Sequence, residues 1–105
     1  MTDEPGDSPV EQAKDGLAKW IDFRGADGIS FALPYRDLQS VEMQTPESIV
    51  LSFRNHRVTV RGRSLAPVYE AVLAERLARL REDDVDWLPE AETFISQVVV
   101  ERNTQ

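Results

Sequence analysis

Residues 49–63, IVLSFRNHRVTVRGR, decide the fold, because their alternation predicts a β-hairpin with one apolar and one polar face. We place a two-residue turn at Asn55-His56. The predicted partners on the apolar face are Phe53 and Val58, Leu51 and Val60, and Ile49 and Gly62. Those on the polar face are Arg54 and Arg57, Ser52 and Thr59, Val50 and Arg61, and Ser48 and Arg63. A slip of one residue would exchange the faces, so the pattern specifies the register strongly.

The polar face carries four cations that we call the arginine face: Arg54, Arg57, Arg61 and Arg63. Residues 54–63 hold these four arginines and no acid, which gives a charge of +4 with His56 neutral. The remaining 8 basic and 19 acidic residues give −11. The predicted register sets Arg54 against Arg57, and such a like-charge pair costs stability unless an anion lies nearby. The arginine face and the adjacent His56 are therefore the candidate partner-binding residues.

The arginine face has three interpretations. It can bind a phosphate or another anion, because guanidinium groups match such ligands. It can contact an acidic protein, or it can be a solvated surface that the acidic residues 82–92 or the acidic tail neutralise. A nucleic-acid site is disfavoured by the overall charge and by the scarcity of aromatic side chains for base stacking. His56 is interpreted as a turn residue rather than as an acid–base group or a metal ligand.

Composition excludes several classes of protein. The chain has 105 residues, a size typical of one domain, and no cysteine, which rules out thiolate chemistry, disulfides and cysteine-ligated metals. The net charge of −7 disfavours nonspecific binding to nucleic acid or anionic membranes. The acidic start of the chain lacks the pattern of a signal peptide, and no apolar run is long enough to span a membrane. No catalytic, phosphate-binding or metalloprotease motif occurs.

The other elements are predicted from apolar periodicity and turn residues. Residues 1–16 are expected to form a disordered acidic tail, and residues 20–33 a hairpin that pairs Phe23 with Ile29 and Ile21 with Phe31. Residues 34–37 predict a turn or a short 3₁₀ helix, and residues 38–44 a third strand. A helix is expected from Ser64 to Glu82, followed by an interior strand over residues 93–101. The buried stripe of that helix comprises Leu65, Tyr69, Val72, Leu73, Leu77 and Leu80.

These elements predict a single α+β domain over residues 17–105. It has a mostly antiparallel sheet of five or six strands packed against one long helix, with a final strand after the helix. We expect a non-catalytic interaction or structural module of a cytoplasmic protein, without cofactor or metal. The arginine face would contact an acidic protein or a second copy of the chain. The alternative is anion, nucleotide or nucleic-acid binding through the same face. An enzyme is disfavoured because no concave pocket with converging polar groups is predicted.

Overall fold

A computed structural model describes residues 9–25, 27–82 and 93–102, and these form two four-stranded sheets, one α-helix and one 3₁₀ turn. Sheet A has the strand order β1-β7-β2-β3, and sheet B has the order β4-β5-β6-β8. The strands are β1 Val10–Gln12, β2 Trp20–Arg24, β3 Ser30–Pro34, β4 Leu38–Thr45, β5 Ser48–Phe53, β6 His56–Arg63, β7 Leu77–Arg81 and β8 Phe94–Arg102. Helix α1 covers Ala66–Leu73, and the 3₁₀ turn covers Tyr35–Asp37. All pairings among the described strands are antiparallel except that of β2 with β7.

The predicted α+β class is confirmed, but the predicted layout is wrong in two respects. The strands form two sheets rather than one sheet of five or six strands. The helix is also short: it ends at Leu73, and the segment predicted to continue it forms strand β7. Glu75 adopts a left-handed conformation with φ of 57°, which turns the chain out of the helix. Strand β7 then hydrogen-bonds to β1 on one side and to β2 on the other.

The early end of the helix changes which leucines are buried. Leu73, predicted to lie in the buried stripe, is 54% exposed. Leu77 is fully buried, and it reaches the core from strand β7 rather than from a helix. Helical propensity in LARLR is therefore outweighed by two strand neighbours, a tertiary effect that local sequence does not encode.

Both predicted hairpins form, but each register differs from the prediction by two residues. In the first, Phe23 pairs with Phe31 and Ile21 with Leu33, and the Gly25 N–H donates a hydrogen bond to the Ile29 carbonyl at the end of the hairpin. In the second, Leu51 pairs with Val58 because the bend lies at residues 54–55. A shift of two residues keeps the side chains that remain paired on their predicted faces. The Arg54–Arg57 pair is lost, however, since Arg57 lies opposite Ser52.

The ends of the chain also contribute strands. Within residues 9–16, which the sequence assigned to the tail, Val10–Gln12 form strand β1 beside β7. The Arg76 guanidinium donates hydrogen bonds to the Ala13 carbonyl at 2.7 Å and to the Gly16 carbonyl at 3.1 Å. Strand β8 forms as predicted but lies at the edge of sheet B, with β6 as its sole partner among the described strands.

One hydrophobic core joins the two sheets and the helix. The Phe23 ring of sheet A meets the Phe53 ring of sheet B edge-on, with the centroids 6.2 Å apart. Helix α1 contributes three buried side chains to the same cluster, those of Val68, Ala71 and Val72. The core therefore covers one face of sheet B and leaves its other face, with the arginines, turned outward.

Candidate interaction face

The outer face of sheet B is built by alternation along strands β5, β6 and β8. Val58 and Val60 of β6 are fully buried, so the intervening Arg57, Thr59 and Arg61 point outward. Cross-strand register then places three rows of side chains across this face. The rows are Ser52–Arg57–Glu101, Val50–Thr59–Val99 and Ser48–Arg61–Gln97. We call these nine residues the outer face; its central row is half-buried, and Arg57 and Arg61 flank that row as exposed cations.

The five predicted binding residues are distributed over four different environments. Arg57 and Arg61 are exposed on the outer face, and Arg54 is exposed at the β5–β6 bend. Arg63 is half-buried, with its guanidinium carbon 5.2 Å from the centre of the Phe94 ring, a cation–π contact. The structure therefore brings Arg57 and Arg61 onto one open surface, while Arg63 packs against an aromatic ring at its end.

His56 lies on the other side of sheet B. Because the bend is at residues 54–55, His56 is the first residue of β6 and shares the side of Val58 rather than that of Arg57. Its ring packs against Phe31 of sheet A, with the ring centroids 5.1 Å apart. His56 is therefore separated from the outer-face arginines.

The outer faces of the two sheets differ in how their charges are compensated. On sheet A, the Asp22 carboxylate lies 2.9 Å from Arg24 Nε and 3.4 Å from Arg79 Nε. Arg79 Nη1 in turn lies 2.9 Å from the Glu11 carboxylate, which completes an ion-pair row across three strands. In the described part of sheet B, neither Arg57 nor Arg61 forms an ion pair, although Glu101 lies opposite Arg57 in the register.

Internal neutralisation by the acidic segment was one interpretation of the arginine face. Glu82, the first acid of that segment, accepts a hydrogen bond from the Val98 backbone N–H at 2.6 Å. That bond places a carboxylate at the free edge of β8 and protects the edge from further pairing. Residues 83–92 lie outside the described part of the chain.

Tyr35 is a buried residue whose pKa is clearly displaced. Burial raises the pKa of the Tyr35 phenol to about 12, because the ionised form loses its hydration. Its hydroxyl donates a hydrogen bond to the Leu77 carbonyl at 2.8 Å, which ties the 3₁₀ turn to β7. Because this phenol is buried and its proton is held by a backbone carbonyl, we interpret Tyr35 as structural.

Neither a metal cluster nor a membrane-spanning helix is found in the described ranges. Residues 9–25, 27–82 and 93–102 contain no group of three or more His, Cys, Asp or Glu side chains arranged to hold a metal ion. In the same ranges no helix is both long and apolar enough to cross a membrane.

Sequence reasoning identified the cations of the outer face but missed its apolar centre. Val50 and Thr59 belong to one hairpin, whereas Val99 joins them through a pairing that spans 40 positions in the chain. Alternation within β8 was visible in the sequence, but nothing local indicated that β6 would be its neighbour. Comparisons of the chain with protein-family models, curated proteins and solved structures give no match. The functional argument therefore depends on the geometry of this face.

Proposed function

We propose that the chain is a small non-catalytic interaction module of a cytoplasmic protein, and that its outer face binds an acidic partner protein. One observation carries the proposal. Arg57 and Arg61 stand exposed on either side of the half-buried Val50–Thr59–Val99 row, without an ion pair to any described residue. By contrast, Arg79 on the outer side of sheet A forms ion pairs with two carboxylates, those of Glu11 and Asp22.

This arrangement has the features of a protein-binding surface. Interfaces commonly combine a less polar centre with a charged rim, and arginine is enriched in them. The central row supplies two valines and the methyl group of Thr59, which a partner can cover. A guanidinium beside that centre can form two parallel hydrogen bonds with a carboxylate, and these strengthen when a partner excludes water.

The spacing of the two arginines favours a macromolecular partner over a small anion. Arg57 and Arg61 are four residues apart along β6, so their Cα atoms are separated by roughly 13 Å at about 3.3 Å per residue. The Arg54–Arg57 pair that would have formed a compact anion site is absent, because Arg57 faces Ser52. Two carboxylates of an acidic protein surface match this separation better than one phosphate does.

The proposal is tested with variants that remove arginines on the outer face or away from it. Wild type, Arg57→Ala/Arg61→Ala and Arg36→Ala are each used to capture proteins from a lysate of the source cells. Arg36 is exposed and lies outside the outer face, so it controls for loss of one surface cation. We expect an acidic protein that wild type and Arg36→Ala retain and the double variant loses. Its retention should also fall in about 1 M salt, where charges are screened beyond about 3 Å.

Three outcomes would count against this function. Capture that is equal for all three proteins would show that the outer face is not the binding surface. An equal loss for Arg36→Ala and for the double variant would indicate general electrostatic attraction. Capture that disappears after nuclease treatment would support the nucleic-acid alternative instead.

A further inference from the structure

A second surface feature is a groove along the seam between strands β3 and β8. These strands are the edges of sheet A and sheet B, and each has a single described neighbour, β2 and β6 respectively. The groove has a volume of about 500 Å³. Its apolar walls come from Ile29 and Phe31 at the β3 side and from Val98 and Val100 at the β8 side.

The exposure of these apolar side chains is unusual for their position. Phe31 lies opposite Phe23 and so points to the inner side of sheet A, yet it is 39% exposed while Phe23 is 2% exposed. Ile29, two residues earlier, is 67% exposed. Although the His56 ring contacts Phe31, the described residues leave much of Ile29 and Phe31 uncovered, and these side chains form one wall of an apolar groove.

The groove also has a defined charge. Two carboxylates line it, those of Asp27 and Glu82, and no Lys or Arg does so among its described residues. Each carboxylate is held by a backbone N–H: Asp27 accepts from Ile29 at 3.0 Å, and Glu82 accepts from Val98 at 2.6 Å. The groove therefore combines apolar walls with two anchored negative charges.

We propose that this groove binds an extended segment of a partner protein in which apolar and basic side chains alternate. Apolar side chains of that segment would fill the channel, and its basic side chains would lie toward Asp27 and Glu82. Its backbone would pair with the edge of β3 that has no described strand beside it, in the manner of peptides that add a strand to a sheet. Strand β8 is the less suitable edge, because Glu82 already occupies the Val98 N–H.

This site is independent of the proposed outer face. The groove lies on the core side of sheet B, it has the opposite charge, and it selects a basic rather than an acidic ligand. Its test therefore uses different residues and a different probe, so either proposal can fail while the other stands.

The probe is a fluorescent peptide of alternating valine and lysine, about six residues long, which is the usual length of a strand. A peptide of alternating valine and glutamate is the reference, and binding to the full chain is followed by fluorescence anisotropy. We expect the lysine peptide to bind at least about tenfold more tightly than the glutamate peptide, a difference of about 1.4 kcal/mol.

Matched variants separate the groove from the general negative charge of the chain. Ile29→Lys places a cation in the groove, whereas Leu17→Lys makes the same change at a site that is equally exposed, 66% against 67%, and outside the groove. We expect Ile29→Lys to weaken binding of the lysine peptide at least about tenfold and Leu17→Lys to leave it within about twofold. Asp27→Asn retains an acceptor for the Ile29 N–H and should weaken binding several-fold through loss of charge alone.

The result that would overturn the proposal is equal weakening by the two lysine variants, since that reports net charge and not a site. Equal affinity for the two peptides would overturn it as well. Asp27→Asn keeps the test decisive if Ile29→Lys does not fold, because unchanged binding by that variant would exclude a role for the carboxylate.

Discussion

Gly62→Ala is expected to disrupt the junction of strands β6 and β8, because the structure leaves no room for a side chain there. A Cβ atom at position 62 would lie 1.9 Å from the Phe94 carbonyl oxygen and 3.1 Å from the Ile95 Cα. Carbon–oxygen contacts normally begin at about 3.3 Å, so the two strands would have to separate locally by roughly 1.4 Å. The obstacle is backbone, which cannot rotate away as a side chain could.

The magnitude follows from what this separation breaks. Overpacking a buried site costs about 1–3 kcal/mol, and each ladder hydrogen bond that is lost adds about 1 kcal/mol. Gly62 lies at the register shift between β6 and β8, next to the fully buried Ile95. We therefore expect the free energy of unfolding to fall by about 3–5 kcal/mol, a large part of the roughly 5–15 kcal/mol typical of a domain.

The assay is urea denaturation followed by tryptophan fluorescence, with Gly28→Ala as the control. Gly28 has a φ of 89°, and a Cβ atom at this position would have no heavy atom within 4 Å, so alanine there strains the backbone without a clash. That strain costs roughly 1–2 kcal/mol. The pairing of Gly62 with Ile95 would be refuted if Gly62→Ala destabilised the protein no more than Gly28→Ala does.

Three further predictions concern stability. Leu77→Asp should prevent folding, because Leu77 is 0% exposed. Leu73→Asp should lower the free energy of unfolding by under about 1 kcal/mol, because Leu73 is 54% exposed. Circular-dichroism melts compare the two variants. Tyr35→Phe should lower the free energy of unfolding by about 1 kcal/mol at neutral pH, because it removes the hydrogen bond to the Leu77 carbonyl. The pKa of Tyr35 is about 12 in the folded chain against 10.0 ordinarily. The stability that the neutral phenol contributes is therefore complete below pH 10.0 and is lost as the pH rises through about 12. Denaturation measured across that pH range should show that the free energy of unfolding of wild type falls by up to about 2–3 kcal/mol. Tyr35→Phe should not show this fall. Removing residues 1–16 deletes β1 and the two carbonyls that accept hydrogen bonds from Arg76. Calorimetry should therefore show a lower Tm for this shortened chain than for a chain that begins at residue 9. Equal Tm values would contradict a structural role for β1.

The candidate site shows how a small shift in a turn changes a functional assignment. Alternation correctly predicted that Arg57 and Arg61 point away from Val58 and Val60. The turn was predicted at Asn55-His56, whereas the bend lies at residues 54–55. That change moved His56 into strand β6 and removed Arg54 from its place opposite Arg57. Turn position depends on backbone geometry that several dipeptides can adopt, so this sequence did not specify it.

The sequence by itself determined the α+β class and the identity of the buried residues in the second hairpin. Ile49, Leu51, Phe53, Val58 and Val60 are all buried although the register was displaced, because a shift of two residues preserves the two faces of a strand. The turn at Tyr35–Asp37 was likewise encoded locally, by the proline before it.

Only the tertiary structure decided which strands became neighbours. LARLR has the residues of a helix, yet it forms β7 because hydrogen bonds to β1 and β2 are available on both sides. Val99 joined Thr59, and a groove opened between β3 and β8, through contacts between distant parts of the chain. The physical reason is that alternation specifies the face of each side chain, whereas strand order depends on how several apolar faces are buried together.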